Sequence, residues 1–419
     1  MKRLFIFTIA LSLGATLHAQ TRDDYNAAVS KFQALYNSNQ ADSMFTMFSD
    51  RIQKLMPADK TKAMLVQLHN QLGSMISFEF TREEPPINYY KTTFKNGAVT
   101  FVFSLSKEHK FESFRFLPYA DDGAPKEKSN FVYKSPAGDI YGTLSAPAAA
   151  GKKVPVVLLI AGSGPTDRNC NQPGMKTDAF KMMADSLLKD GIACVRYDKR
   201  GTGASMAIAK NEEDTRFDDM VDDVVGIIKM LKEDTRFSKI ILLGHSEGSL
   251  IGMIAAAREK VGGYISLAGA GERADRLLEK QLSANSKEAA ATARVIMDSI
   301  MNGYAVKNID SDAYVLFRPS VQPYMRSWLK YDPQLEIKKL TIPVLILQGV
   351  NDFQASVNDA ELLKKAAPKA TLKLVPGMSH VLKQGPTDRD QNFATYNQPE
   401  LPLSPGLMPP IYKFIKAIK

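Results

Sequence analysis

Between residues 154 and 272, short apolar runs alternate with stretches of helical spacing: "VPVVLLIAG", "DAFKMMADSLLKDG", "IACVRYD", "FDDMVDDVVGIIKMLKED", "SKIILLGHS", "GSLIGMIAAAREK" and "GGYISLAG". Continuous apolar runs suit strands covered on both faces, and helix-length connections let successive strands run parallel. This pattern predicts an α/β fold with a mostly parallel sheet between two layers of helices. The alternation stops near residue 272. A long, charged, helical stretch follows to about residue 336, before strands resume with "TIPVLILQG" and "ATLKLVPG" and the chain closes on "PPIYKFIKAIK". A helical insert between late strands predicts a cap over the carboxyl edge of the sheet, where ligands bind in open α/β folds.

Ahead of this region the periodicity differs. Ala27, Phe32, Leu35 and Tyr36, then Met44, Phe45 and Phe48, recur at helical spacing. In "AVTFVFSL" the period becomes two, with Val99, Phe101, Phe103 and Leu105 on one face and Asn96-Gly97 as the preceding hairpin turn. Helices followed by an antiparallel sheet predict a small α+β domain over residues 20–120. The polar, Gly- and Pro-containing stretch 121–129 reads as a linker to a domain spanning 130–419. An antiparallel hairpin, "FVYKSPAGDIYGTLSAP", opens that second domain. The cap occupies about 272–336.

The first residues, "MKRLFIFTIALSLGATLHAQ", combine a basic start, a short apolar stretch and a small residue at Ala19. They predict a signal peptide over residues 1–19, and so an exported protein, periplasmic or extracellular, without a stable membrane anchor. The formal net charge of +9 is dispersed among acidic residues. With no clustered basic patch, it excludes nucleic acid as the expected partner. The two cysteines, Cys170 and Cys194, have no accompanying histidine spacing that would suggest a zinc site, and they are read as thiols rather than a disulfide.

The segment Gly244-His245-Ser246-Glu247-Gly248 puts a serine between two glycines where an apolar strand turns into a helix. In that context G-x-S-x-G is a nucleophile elbow. A serine hydroxyl needs a base. Of the five histidines, His18 lies in the leader, His69 and His109 in the N-terminal domain, and His245 beside the serine with its side chain expected to point away. His380, after the last strand, is the candidate base. Asp352, in the turn after "TIPVLILQG", is the candidate acid that holds the imidazole tautomer; Asp332, Asp359 and Glu361 are its rivals. The backbone amides of Glu247 and of Ser163, in the loop "AGSGPTDRN", are the candidate oxyanion donors, with Gly164 an alternative to Ser163. Asp167 and Arg168 are expected to brace that loop. Arg196, Asp198 and Arg200, in "RYDKRGTGAS", are expected to shape a supporting polar turn rather than a phosphate clamp. Trp328, with Tyr314, Phe317, Tyr324 and Tyr331, either lines an acyl pocket or forms the cap's own core.

Together, "AGSGPTDRN", "RYDKRGTGAS", "GHSEGS", "LQGVNDFQ" and "MSH" resemble α/β-hydrolase carboxylesterases of the serine-aminopeptidase-like group over residues 130–419. The segment 22–120 looks like the small domain that precedes the catalytic domain in some exported bacterial esterases. The resemblance implies hydrolysis of short acyl esters with no metal or organic cofactor, and it assigns Ser246, Asp352 and His380 to the triad. The chain departs from the common lipase pattern at Ala161, where a histidine usually precedes the oxyanion glycine. Two alternatives stand beside a small-molecule ester substrate. One is a peptidase or acyltransferase with the same triad, for which Glu272 and Glu279 are candidate anchors of a peptide terminus. The other is an inactive hydrolase-fold binding protein.

Overall fold

The computed structural model describes residues 20–418, except 56, 85, 96, 119–126, 149–150, 173–174, 210, 284–285, 308, 310–312 and 314–315. The expected signal peptide, residues 121–126 of the expected linker, Asn96 of the expected hairpin turn and Tyr314 lie outside the described residues. The chain divides into two compact units, one ending at Tyr119 and the other beginning at Ala120.

In the first unit, helices Arg22–Asn37, Ala41–Phe45, Asp50–Leu55 and Ala58–Leu72 precede four strands: β1 (Met75–Glu84), β2 (Ile87–Phe94), β3 (Gly97–Leu105) and β4 (Phe111–Pro118). The strands form an antiparallel sheet in chain order. Thr21 starts the first helix through a reciprocal cap with Asp24, which satisfies N–H groups that the first turn leaves open. The buried face of that helix runs Tyr25, Val29, Phe32 and Tyr36. Ala27 is exposed, so the true stripe is one residue out of phase with the sequence reading at its start. The larger Tyr25 and Val29 bury more apolar area than Ala27 would, and they set the phase. Phe32 packs on Phe101 with ring centroids 4.9 Å apart, and Phe101 stacks on Phe116 at 4.6 Å.

The second unit holds eight strands: β5 (Phe131–Ser135), β6 (Gly138–Ser145), β7 (Val154–Ile160), β8 (Ala193–Tyr197), β9 (Phe237–His245), β10 (Gly263–Leu267), β11 (Val344–Gly349) and β12 (Thr371–Val375). Their order in the sheet is β12-β11-β10-β9-β7-β8-β6-β5. The six strands from β12 to β8 run parallel, and the β5–β6 hairpin joins antiparallel to β8. This is the α/β-hydrolase arrangement. Alternate side chains of β7 feed two separate cores. Val156, Leu158 and Ile160 meet helices Phe217–Glu233 and Glu247–Arg258 on one face. Val157 and Leu159 meet helices Ala179–Lys189 and Met408–Ala417 on the other. Every strand between β7 and β11 is therefore apolar on both sides, which is why the sequence shows runs rather than alternation.

From β7 the chain crosses first to β8 and then back to β9 on the other side of β7. The reversal opens a crevice between the carboxyl ends of β7 and β9, where Ile160 pairs with Gly244. Among the described residues, the insert between β10 and β11 contains helices Ala274–Ser283, Lys287–Met301, Gln322–Leu329 and Pro333–Lys338. The first three share a core of their own around Ile296, Met297, Ile300, Phe317, Met325 and Leu329, whereas Ile337 of the fourth packs into the core beside the sheet.

Candidate active site

β9 ends at His245, and helix Glu247–Arg258 starts one residue after Ser246. A reversal that short forces Ser246 to φ 55° and ψ −123°, a conformation that costs a non-glycine residue free energy. Two hydrogen bonds hold the turn: Ser246 N–H donates to Leu267 C=O over 3.0 Å, and Ser249 N–H to Ser246 C=O over 2.9 Å. The flanking glycines are dictated by backbone proximity. A Cβ on Gly244 would lie 2.1 Å from the Gly248 carbonyl oxygen, and one on Gly248 would lie 2.2 Å from that of Ile160. The helix thus packs backbone to backbone against β9 and β7.

The three side chains singled out by chain order come together. His380 Nε2 is 3.1 Å from Ser246 Oγ, and His380 Nδ1 is 2.8 Å from Asp352 Oδ2. Nδ1–H donates to the carboxylate, which leaves Nε2 to accept from the serine hydroxyl. Asp352 is held from its other side, because Oδ1 accepts the N–H groups of Gln354 and Ala355, and Oδ2 also accepts from Gln348 Nε2. The rivals lie elsewhere. Asp332 caps helix Pro333–Lys338. Asp359 accepts from Ser356 and from the Gly271 N–H, and Glu361 is exposed.

His245 does turn away from the serine, yet it is not idle. Its Nε2–H donates to the His380 carbonyl over 2.8 Å, tying the end of β9 to the loop that carries the other histidine. Burial, reinforced by the nearby His380 ring, lowers its pKa from 6.5 to about 3. Its environment therefore disfavours the cation. The unfolded chain takes up a proton that the folded chain refuses, so the stability difference is complete above about pH 6.5 and is lost as pH falls toward 3. At pH 5 the loss is about 2 kcal/mol. His245→Gln, which keeps a donor near the Nε2 position, is expected to remove this component. Urea midpoints at pH 7 and pH 5 should differ less in the variant than in the parent chain, and an unchanged difference would refute the assignment.

The loop after β7 approaches the serine closely: a Cβ on Gly162 would sit 3.0 Å from Ser246 Cβ. Ser163, Glu247, Ser246 and His380 border the same cleft, which encloses about 590 Å³ including its open mouth. Among the described residues, neither the Ser163 N–H nor the Glu247 N–H has a hydrogen-bond acceptor. Gly164 adopts φ 78°, turning the loop away just after Ser163. Arg168 braces the loop by a buried bidentate pair with Asp198, at 3.1 and 2.7 Å, and by a bond to Thr143. Asp167 accepts the N–H groups of Asn169 and Asn171. Arg196 pairs with Glu127, and Arg200 with Asp223. With these guanidinium groups engaged by carboxylates, the turn is a support and not a phosphate clamp. Glu127 and Ser129, at the end of the expected linker, are themselves bound to Arg196 and Arg168, so those residues are anchored.

The rest of the cleft is mainly apolar, with Leu250, Leu277, Leu278, Trp328 and Pro333 facing it. Trp328 meets the cleft and the cap's core at once. It lies nearly parallel to Phe217, with ring centroids 6.3 Å apart. Phe317 belongs to the cap's core, while Tyr324 and Tyr331 pack against Phe217. Glu272 borders the cleft and pairs with Lys280, whereas Glu279 pairs with Arg294 and does not line it. Cys170 and Cys194 are free, and burial pushes both thiols up to about 12.

The family model described as serine aminopeptidase, S33, matches residues 174–385, half of the chain. The chain belongs to the serine aminopeptidase S33 family. Within this S33 chain, residues 29–114 match a second family model, described as a protein of unknown function, DUF3887. The S33 chain is 25% identical over 370 residues to "Esterase EstD" of Thermotoga maritima, covering 83% of this chain and 85% of that protein. It is 26% identical over 232 residues to human "Monoglyceride lipase", covering 50% of this chain and 73% of the relative. Among solved structures, Est1E from Butyrivibrio proteoclasticus, in a structure titled with bound ferulic acid, aligns at 19% identity with a TM-score of 0.42, covering 64% of this chain and 93% of that one.

Proposed function

We propose that this S33 member is an exported serine carboxylesterase that cleaves short acyl esters through an acyl-enzyme. The observation that carries the reading is the unbroken hydrogen-bonded line Ser246–His380–Asp352 at the mouth of an apolar cleft. His380 Nε2 takes the hydroxyl proton as Ser246 Oγ attacks the ester carbonyl. Asp352 stabilises the imidazolium that forms. The N–H groups of Ser163 and Glu247 receive the oxyanion. His380 then returns its proton to the leaving alcohol, and later activates the water that releases the acid.

The similarity to an esterase over most of both chains supports ester over amide substrates. So does the cleft wall, where Glu272, the one of the cap's two candidate anchors that borders the cleft, is already paired with Lys280. A panel of chromogenic esters of increasing acyl length, run beside aminoacyl anilides, tests the reading. Turnover is expected on short esters and not on anilides; the reverse preference would make the enzyme a peptidase. In the same panel Trp328→Ala is expected to shift the preference toward longer chains, by roughly 10-fold in relative kcat/KM, because one or two methylenes in an apolar pocket are worth that much. A variant that melts earlier with its preference unchanged would leave Trp328 only a core role. Export rests on the basic, apolar and small-residue pattern of residues 1–19. Sequencing the mature N-terminus should find Gln20 first, and an intact Met1 in the exported fraction would refute cleavage.

A further inference from the structure

Lys199 sits in the turn after β8, and its side chain is buried. Its ammonium group donates to the Gly162 carbonyl over 2.8 Å and to Glu247 Oε2 over 3.2 Å. Both partners are bound to the oxyanion site by covalent structure. The Gly162 carbonyl and the Ser163 N–H are opposite ends of one planar trans peptide group, so fixing the first fixes the direction of the second. A cation on the carbonyl also polarises the group and makes its N–H a stronger donor. Glu247 supplies the other N–H. Its carboxylate lies between Lys199 and the hydroxyl of Tyr324, which donates to Oε1 over 2.7 Å from the cap helix Gln322–Leu329. A buried Lys–Glu pair is a poor source of stability, because desolvation consumes the attraction. Its place, between the two donor loops and the cap, makes sense as orientation.

We propose that Lys199 is a positioning residue for the oxyanion site: by holding the Gly162 carbonyl it aims and strengthens the Ser163 N–H, and by holding Glu247 it locks that peptide to the elbow helix and to Tyr324 of the cap. The inference rests on the oxyanion role given to Ser163 and Glu247 above. It does not depend on whether the substrate is an ester or an amide.

The test removes the cation without stranding its partner. K199M/E247Q deletes both charges, and the new side-chain amide oxygen still accepts from Tyr324. K199L/E247Q is a second variant that likewise leaves no donor for the Gly162 carbonyl, and either one, once shown to fold by its thermal melt, decides the matter. The readout is the rate of covalent labelling by a fluorophosphonate, whose phosphoryl oxygen enters the oxyanion site whatever the natural substrate, with kcat and KM on the best chromogenic substrate alongside. Labelling and kcat are expected to fall about 10- to 100-fold, with KM within about two-fold, since a misdirected oxyanion donor weakens transition-state binding alone. E247Q, which keeps Lys199, is expected to retain more activity than either pair. Labelling of a folded pair at the parental rate would overturn the proposal, as would E247Q falling as far as the pairs, which would move the effect to the Glu247 charge. A parent chain that labels but turns over no ester would refute the carboxylesterase reading and leave this comparison intact.

Discussion

Ser246→Ala is expected to abolish labelling by an organophosphonate and to lower ester turnover by about a million-fold. Ser246 Oγ is the oxygen that His380 Nε2 faces at 3.1 Å. The strained turn at φ 55° exists to present it, so no neighbour can substitute. Ser249 is the nearest alternative in sequence, but its hydroxyl is buried among Tyr264 and Ser266. The parent chain should carry one label, on the peptide containing Ser246. Alanine also relieves nothing in the backbone, because the turn is held by the Leu267 carbonyl whatever the side chain. The variant should therefore fold, and any residual hydrolysis reports the oxyanion donors acting alone. A fully active Ser246→Ala variant, or a label on Ser163, would end the mechanism.

Asp352→Asn should cost about four orders of magnitude in kcat while the chain still folds, melting somewhat earlier because Gln348 Nε2 loses the acceptor it had in Asp352 Oδ2. An amide at this position still accepts the N–H groups of Gln354 and Ala355 through its oxygen, so the turn after β11 survives. What it presents to His380 Nδ1 is then an NH₂ group, which favours the tautomer with the proton on Nε2. That proton faces Ser246, and the base is lost. A rate insensitive to the change would pass the acid's role to a carboxylate that the structure places elsewhere.

How far the sequence could be read depended on what kind of contact was at stake. The doubly covered strands announce themselves because both faces of β7 and β9 need apolar residues. Ser246, Asp352 and His380 are legible because each follows a strand whose end can be seen. His245 was expected only to avoid the serine; its bond to the His380 carbonyl joins residues 135 positions apart, through a backbone atom that leaves no mark in the sequence. Lys199 escaped notice for a different reason. In "RYDKRGTGAS" it reads as one more charge on a polar turn, and only the approach of the Gly162 loop and Glu247 encloses it. Ala27 misled because an alanine fits either side of a helix.

Trp328 has a consequence for anyone wishing to redirect the enzyme. One indole both walls the cleft and braces the insert against Phe217. Selection for bulkier substrates at this position therefore draws on the same atoms that keep the insert folded. Variants with a roomier cleft will tend to emerge heat-sensitive, and recovering them calls for a compensating substitution in the core the ring packs against, such as at Ile296, Met325 or Leu329, before the gain in scope can be kept.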